Sequence, residues 1–272
     1  MTLQSNKQQV DRKELKRPDQ FTTSITKFFN ELARNRNAVL IILSGIVLLS
    51  AVSMYIVSKK QGENEKASDA LFLATDAVNK KLESLGKASA EATAAEVKDA
   101  KKSASDKKPA TKPPVNPEQL AFKKLNVDQE FADGVQKYKA VIEKYGNTAA
   151  AFEARSALGA LYLHHGEPEK AVPWLKAATE TSPGPLPKAY AWSGLGYALE
   201  NSGKTAEALQ AFEKSLNLGE ANLKGDLLLS MARCQETLND KAKARATYDQ
   251  IISQLPNTEY AKNAQLFKKH IQ

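Results

Sequence analysis

The chain has 272 residues and a formal net charge of +8, spread unevenly. The first 114 residues hold 20 Lys and Arg against 13 Asp and Glu, and the rest hold 19 against 18, so +7 belongs to the amino-terminal part and +1 to the remainder. This argues against nucleic acid as a partner, which needs cations grouped on a folded face beside base-reading groups; the lone cysteine, Cys234, excludes an intrachain disulfide and a thiolate zinc site and reads as a small buried hydrophobe.

Residues 1–37 read as a basic tail in which Phe21, Ile25, Phe28, Phe29 and Leu32 recur at helical spacing. An amphipathic helix over 20–36 follows, either lying on a membrane surface or offering a packing face to a partner. The segment 38–57, from Ala38 to Val57, is free of charge, and twelve of its residues are Val, Leu or Ile. Twenty helical residues rise about 30 Å, the thickness of a bilayer core, so 38–58 is expected to be a transmembrane helix. Ser50-Ala51-Val52-Ser53 resembles a small-residue cleavage site. The preceding polar segment and the apolar run are both longer than a signal peptide uses, which favours a retained anchor. Lys7, Arg12, Lys13, Lys16, Arg17, Lys27, Arg34 and Arg36 precede the span, against Lys59, Lys60 and Lys66 just after it. The excess places the amino-terminus in the cytoplasm.

Beyond the span, Ala70, Leu73, Ala74, Ala77, Val78 and Leu82 share one helical face, predicting an extracytoplasmic helix within 59–85 that docks on the rest of the chain or on another protein. Residues 86–116 are Ala, Lys, Ser and Pro almost throughout and offer little apolar surface to offset the entropy of folding. They read as a disordered tether with a root-mean-square reach of about 30 Å.

From 117 to 272 a helix-turn-helix pattern recurs at about 36 residues, close to the tetratricopeptide period of 34. In the repeat 152–185, Leu158, Gly159 and Tyr162 fall on the first helix, Gly166 on the turn, Ala171 and Ala178 on the second helix, and Pro183 ends it. In 189–222 the same slots hold Trp192, Leu195, Gly196, Gly203, Ala208 and Phe212. In 225–258, Met231, Ala232, Ala244, Tyr248 and Pro256 fit, and Asn239 replaces the turn glycine. The small residues let paired helices approach, Trp192, Phe212 and Tyr248 are expected to fill gaps between pairs, and the prolines stop helices they cannot continue. Residues 131–145 read as the second helix of a degenerate repeat near 115–148, whose first helix is poorly defined around 115–130, and 259–271 as a capping helix. The expected fold is all-α: a tetratricopeptide-repeat (TPR) solenoid after one transmembrane helix.

The sequence shows no nucleophile motif, phosphate loop or metal-ligand cluster, so neither an enzyme activity nor a cofactor is expected. His164 and His165, before Gly166, suit a helix carboxy-terminus. Resemblance to tetratricopeptide repeats implies a concave face lined by the second, fifth, ninth, twelfth and thirteenth positions of each repeat. These are Glu153, Ser156, Ala160, Leu163 and His164; Tyr190, Ser193, Tyr197, Glu200 and Asn201; then Asp226, Leu229, Arg233 and Glu236. Two tyrosines, an arginine and carboxylates suit a protein or peptide ligand. The Lys and Asn pattern of repeats that grip a terminal carboxylate is missing, because its slots hold Ser156, Ala160, Ser193 and Tyr197.

The stretch KFFNELARNRNAVLIILSGIVLL, followed by the helix ASDALFLATDAV and carboxy-terminal repeats, resembles the YfgM-like family of ancillary subunits of the bacterial SecYEG translocon. The long Lys- and Pro-rich tether and the longer tail depart from that pattern. The resemblance implies an inner-membrane protein whose periplasmic repeats link the translocon to chaperones such as the PpiD-type foldase. The alternative is a scaffold for envelope assembly in cell division, secretion or motility.

Overall fold

The structure is a computed structural model that describes residues 25–27, 36–103 and 125–271, with side chains for 25–27, 44–88 and 125–271. Apart from a helical turn at 25–27, the amphipathic helix expected over 20–36 lies outside the described residues. The chain divides into two compact units, Met1–Gln61 and Gly62–Gln272.

In the first unit the described backbone is the helical turn at 25–27 and the start of helix α1, Arg36–Ser103. Ile46, Val47, Leu48 and Leu49 are consecutive and each more than half exposed, as are Val52, Met54, Tyr55, Ile56 and Val57, so apolar side chains surround the helix on all sides. Among the described residues no helix is long and apolar enough to cross a membrane. Residues 38–43, which open the expected span, are helical, and their side chains lie outside the described set.

The second unit is a stack of helix pairs. After the single-turn α2 (Val127–Glu130) come α3 (Ala132–Lys144), the pair α4 (Ala149–His164) and α5 (Pro168–Thr181), and the pair α6 (Pro185–Asn201) and α7 (Thr205–Leu216). A 3₁₀ turn, Ala221–Leu223, leads into α8 (Lys224–Thr237) and α9 (Lys241–Gln254), and α10 (Glu259–His270) closes the stack. From α3 onward each helix packs on the next in chain order. Thr148 caps α4 by accepting from the Ala151 amide at 3.2 Å, and Thr258 caps α10 in the same way. Gly166 and Gly203 turn the chain at φ +77° and +76°, and Asn239 does the same work at φ +60°, a region that asparagine tolerates better than other side chains.

Close approach explains the helical glycines. A Cβ on Gly159 would sit 2.5 Å from Leu175 Cγ, and one on Gly196 would sit 2.5 Å from Phe212 Cδ1, so in both pairs only hydrogen fits. Phe212 and Tyr248 pack within their own pairs and also reach the next element, Tyr248 with its ring 6.1 Å from that of Phe267 in α10 and Phe212 in one buried cluster with Leu227 and Met231 of α8. Phe212 lies on Gly196, and the Tyr248 hydroxyl donates to Glu236 of α8 at 2.5 Å. Trp192 is only half-buried, with Lys214 Nζ 4.3 Å from its ring centroid.

Two expectations about the chain before the repeats are revised. The helix that pairs with α3 is not drawn from 115–130, where only α2 is formed among the described residues; it is the 62–88 part of α1. Ala67 and Ala74 are fully buried there and Val78 nearly so, Val78 lies against Gly134, Tyr138 donates to Thr75 Oγ1 at 3.1 Å, and Lys81 pairs with Glu130 at 2.9 Å. The physical reason is apolar surface: 62–85 offers an apolar face at helical spacing, which α3 covers. Secondly, α1 continues to Ser103, well into the stretch expected to be disordered. Residues 87–103 are rich in Ala, Lys and Glu and hold neither Gly nor Pro, which favours helix even without burial. The rest of the expected tether, 104–116, lies outside the described residues.

A polar cluster fixes α2 against the first full pair. Asp128 accepts from the Tyr162 hydroxyl at 2.6 Å and from Lys170 Nζ at 2.7 Å, while Glu167 Oε1 accepts from the Val127 amide at 2.8 Å. These hydrogen bonds hold the Asp128 carboxyl below the ordinary carboxylate range despite its desolvation.

Candidate protein-binding face

The positions singled out from the sequence lie on one side each of α4, α6 and α8, since steps of three and four residues return to the same helix face. On α4, Glu153 and His164 are exposed and Ser156, Ala160 and Leu163 half-buried. His165 next to it is buried, its ring 5.0 Å from that of Phe131, and packs the stack. Among the described residues no group of three or more His, Cys, Asp or Glu is placed to hold a metal ion. Arg155, also on α4, turns inward and donates to the Gly146 carbonyl at 3.0 Å; burial lowers the pKa of its guanidinium.

On α6, Tyr190 is 49% exposed, Ser193 is buried, Tyr197 and Glu200 are half-buried and Asn201 is exposed. Tyr197 meets Phe212 edge to face at 5.1 Å, which fixes its ring. On α8, Asp226 and Arg233 are exposed, and Leu229 and Glu236 half-buried.

The structure joins several of these positions across helices. Arg233 forks onto Glu200, with Nη2 to Oε2 at 2.8 Å and Nε to the other oxygen, and Nη2 also donates to Ser230 Oγ at 3.2 Å. The Glu200 hydrogen bond, working against burial, raises the Arg233 pKa, so this guanidinium is a fixed, compensated charge. Glu236 is held by Tyr248, as described above. Tyr260 of α10 covers Gly225, where a Cβ would meet its ring at 2.5 Å, and its hydroxyl lies beside Asp226. Burial, and then the Asp226 carboxylate, raise the Tyr260 pKa.

Tyr260 is the member that the sequence reading missed. It stands second after a repeat start at Glu259, as Tyr190 stands second in the repeat that starts at Ala189, so carrying the repeat register into the capping helix finds it. Cys234, beside Arg233, is fully buried, and burial pushes its thiol up to about 11. A separate groove of about 440 Å³ runs along α5, α6 and α7, floored by Val172, Trp192, Leu195 and Leu199 and rimmed by Lys176 and Lys214.

Two family models, each described as tetratricopeptide repeat, match the chain, one over residues 128–185 and the other over 200–266. No curated protein matches it. A solved structure titled MamA AMB-1 is 18% identical with a TM-score of 0.40, covering 52% of this chain and 74% of its own. A second, from the functional characterization of Pseudomonas aeruginosa pilF, is 18% identical with a TM-score of 0.38, covering 53% of this chain and 70% of its own.

Proposed function

With tetratricopeptide repeats at 128–185 and 200–266 as the premise, we propose that this chain is a membrane-anchored adaptor. Its repeats bind proteins or peptides on the extracytoplasmic side of a bacterial inner membrane. The observation that carries the binding role is the face of α6, α8 and α10, where the Glu200–Arg233 fork, Tyr197 and Tyr260 form one ordered surface from three helices. Rigid aromatics and a forked arginine gain contact energy at little cost in side-chain entropy.

The anchor is argued from solvation. A helix apolar on all sides must be covered by protein or by lipid, and from Ile46 to Val57 the described residues leave it uncovered. The residues from Ser44 to Val57 rise only about 21 Å, and adding the charge-free 38–43 brings the length to about 30 Å, enough for a bilayer core. The surplus of cations before the span favours a cytoplasmic amino-terminus and periplasmic repeats. The resemblance of the anchor region to the YfgM-like family supports SecYEG and periplasmic chaperones as the partners.

The test is affinity purification from detergent-solubilised membranes, comparing the native chain with a Tyr197→Ala, Arg233→Ala variant. Recovery of translocon subunits or folding factors by the native chain, with chaperone recovery lost in the variant, is the expected result. Equal recovery by both chains, or a carboxy-terminal reporter active only in the cytosol, would overturn the reading.

A further inference from the structure

We propose that the face formed by α6, α8 and α10 takes an extended, lysine- or arginine-rich segment of its protein partner, an inference that rests on the protein-binding reading above. At the positions named on α6 and α8 stand three carboxylates, Glu200, Asp226 and Glu236, and one cation, Arg233. That cation is already paired with Glu200 through Nε and Nη2, one edge of its guanidinium, so its charge is compensated. An acidic ligand would meet a cation already compensated by Glu200 and two further carboxylates beside it. A basic ligand leaves the fork intact.

The carboxylates are also held in place for such a ligand. Tyr248 donates to Glu236, using one of the roughly four lone-pair positions of the carboxylate while leaving its charge uncancelled, and the Tyr260 hydroxyl lies beside Asp226. Each acid thereby meets a phenol instead of a cation. A cationic side chain arriving from solvent then finds a preorganised acceptor, and little rotamer freedom is lost on binding.

Tyrosine supplies the second half of the recognition. Tyr190 is 49% exposed and Tyr197 half-buried, and they stand two turns apart on the same side of α6. Aromatic faces beside acids suit ammonium and guanidinium groups, whose attraction to a ring adds to the ion pair. The chain already uses such contacts internally, with Lys214 over Trp192 at 4.3 Å and Lys170 over Tyr162 at 5.7 Å.

The experiment is fluorescence anisotropy on the full chain in an uncharged detergent, with two labelled peptides of one length, one alternating Lys and Arg with Ser and Leu, the other with Glu in every basic position. The basic peptide is expected to bind saturably and more weakly as salt rises. Asp226→Asn and Glu236→Gln, which keep an acceptor for each phenol, should each weaken it about two- to fivefold. Tyr190→Ala, at an exposed position, should weaken it about fivefold. Preferential binding of the acidic peptide, or basic-peptide binding that these three variants leave unchanged, overturns the inference. Partner capture that depends on Tyr197 and Arg233, with no basic-peptide binding, also overturns it and leaves the adaptor reading standing; loss of that capture removes the adaptor reading itself.

Discussion

The pairing of α1 with α3 can be tested at its closest point, Val78 against Gly134. A Cβ placed on Gly134 falls on Val78 Cγ2, with the Val78 amide nitrogen at 3.4 Å and Cα at 3.6 Å behind it. Carbon atoms in real contact stay about 3.5 Å apart or more. A helical valine has one strongly preferred χ1, so its methyl cannot swing away and α1 itself must retreat by about 1 Å. Gly134→Ala should therefore cost about 1–3 kcal/mol in overpacking, offset by about 1 kcal/mol of better helix propensity. Val78→Ala removes two buried methyl groups and should cost about 1.5 kcal/mol.

The double variant separates packing from propensity. With Val78 truncated, the new methyl on Gly134 enters space that the valine vacated, so the pair should be more stable than the sum of the single changes by about 1–2 kcal/mol. Amide exchange at 67–85 in the full chain, in detergent, reads the opening free energy of the docked helix directly. Additivity within about 0.5 kcal/mol would refute the contact, and with it the assignment of 62–88 as the first helix of the solenoid.

Cutting the chain at a protease site placed within 104–116 should leave the two fragments co-purifying, because α1 holds α3 through buried Ala67, Ala74 and Val78; separation without denaturant contradicts this. Cys234, fully buried with its thiol pushed up to about 11, should resist iodoacetamide at pH 8 until the chain is unfolded, and mass spectrometry showing equal rates in folded and unfolded protein disproves it. Asp128→Asn should destabilise the amino-terminal end of the stack by about 0.5–1 kcal/mol at pH 7, measured by denaturant unfolding. The folded pKa of Asp128 is depressed, so its contribution is complete above the ordinary carboxylate value near 4 and is lost as pH falls through the lower folded value. The gap between native and variant chains should close below about pH 4, and a gap that persists there contradicts the role of the Asp128–Lys170–Tyr162 cluster.

The repeats were legible because their constraints are local. Gly159 and Gly196 mark close approaches, Gly166, Gly203 and Asn239 mark left-handed turns, and Pro183 and Pro256 stand just beyond the ends of α5 and α9. Each is a single residue whose reason lies within one pair. The first pair was not legible because its two helices are separated by 86–124, and no periodicity spans such a gap. Gly134 in α3 carried a hint: a glycine inside a helix signals a close neighbour, though it does not say which segment supplies it. The Glu200–Arg233 fork and the Tyr260–Asp226 contact were illegible for a related reason, since side-chain partners across repeats depend on superhelical geometry that a register of slots does not encode.

The docked helix changes what the stretch from 89 to 124 is for. A tether would set the reach of the repeats, so its length would be under functional constraint. An excursion between the two helices of one pair has only to close. Closure entropy of a connection grows slowly, with each doubling of length costing about 0.6 kcal/mol. Burial of Ala67, Ala74 and Val78, together with the Tyr138–Thr75 and Lys81–Glu130 bonds, offsets that cost, which places the constraint on these contacts rather than on the composition of 89–124.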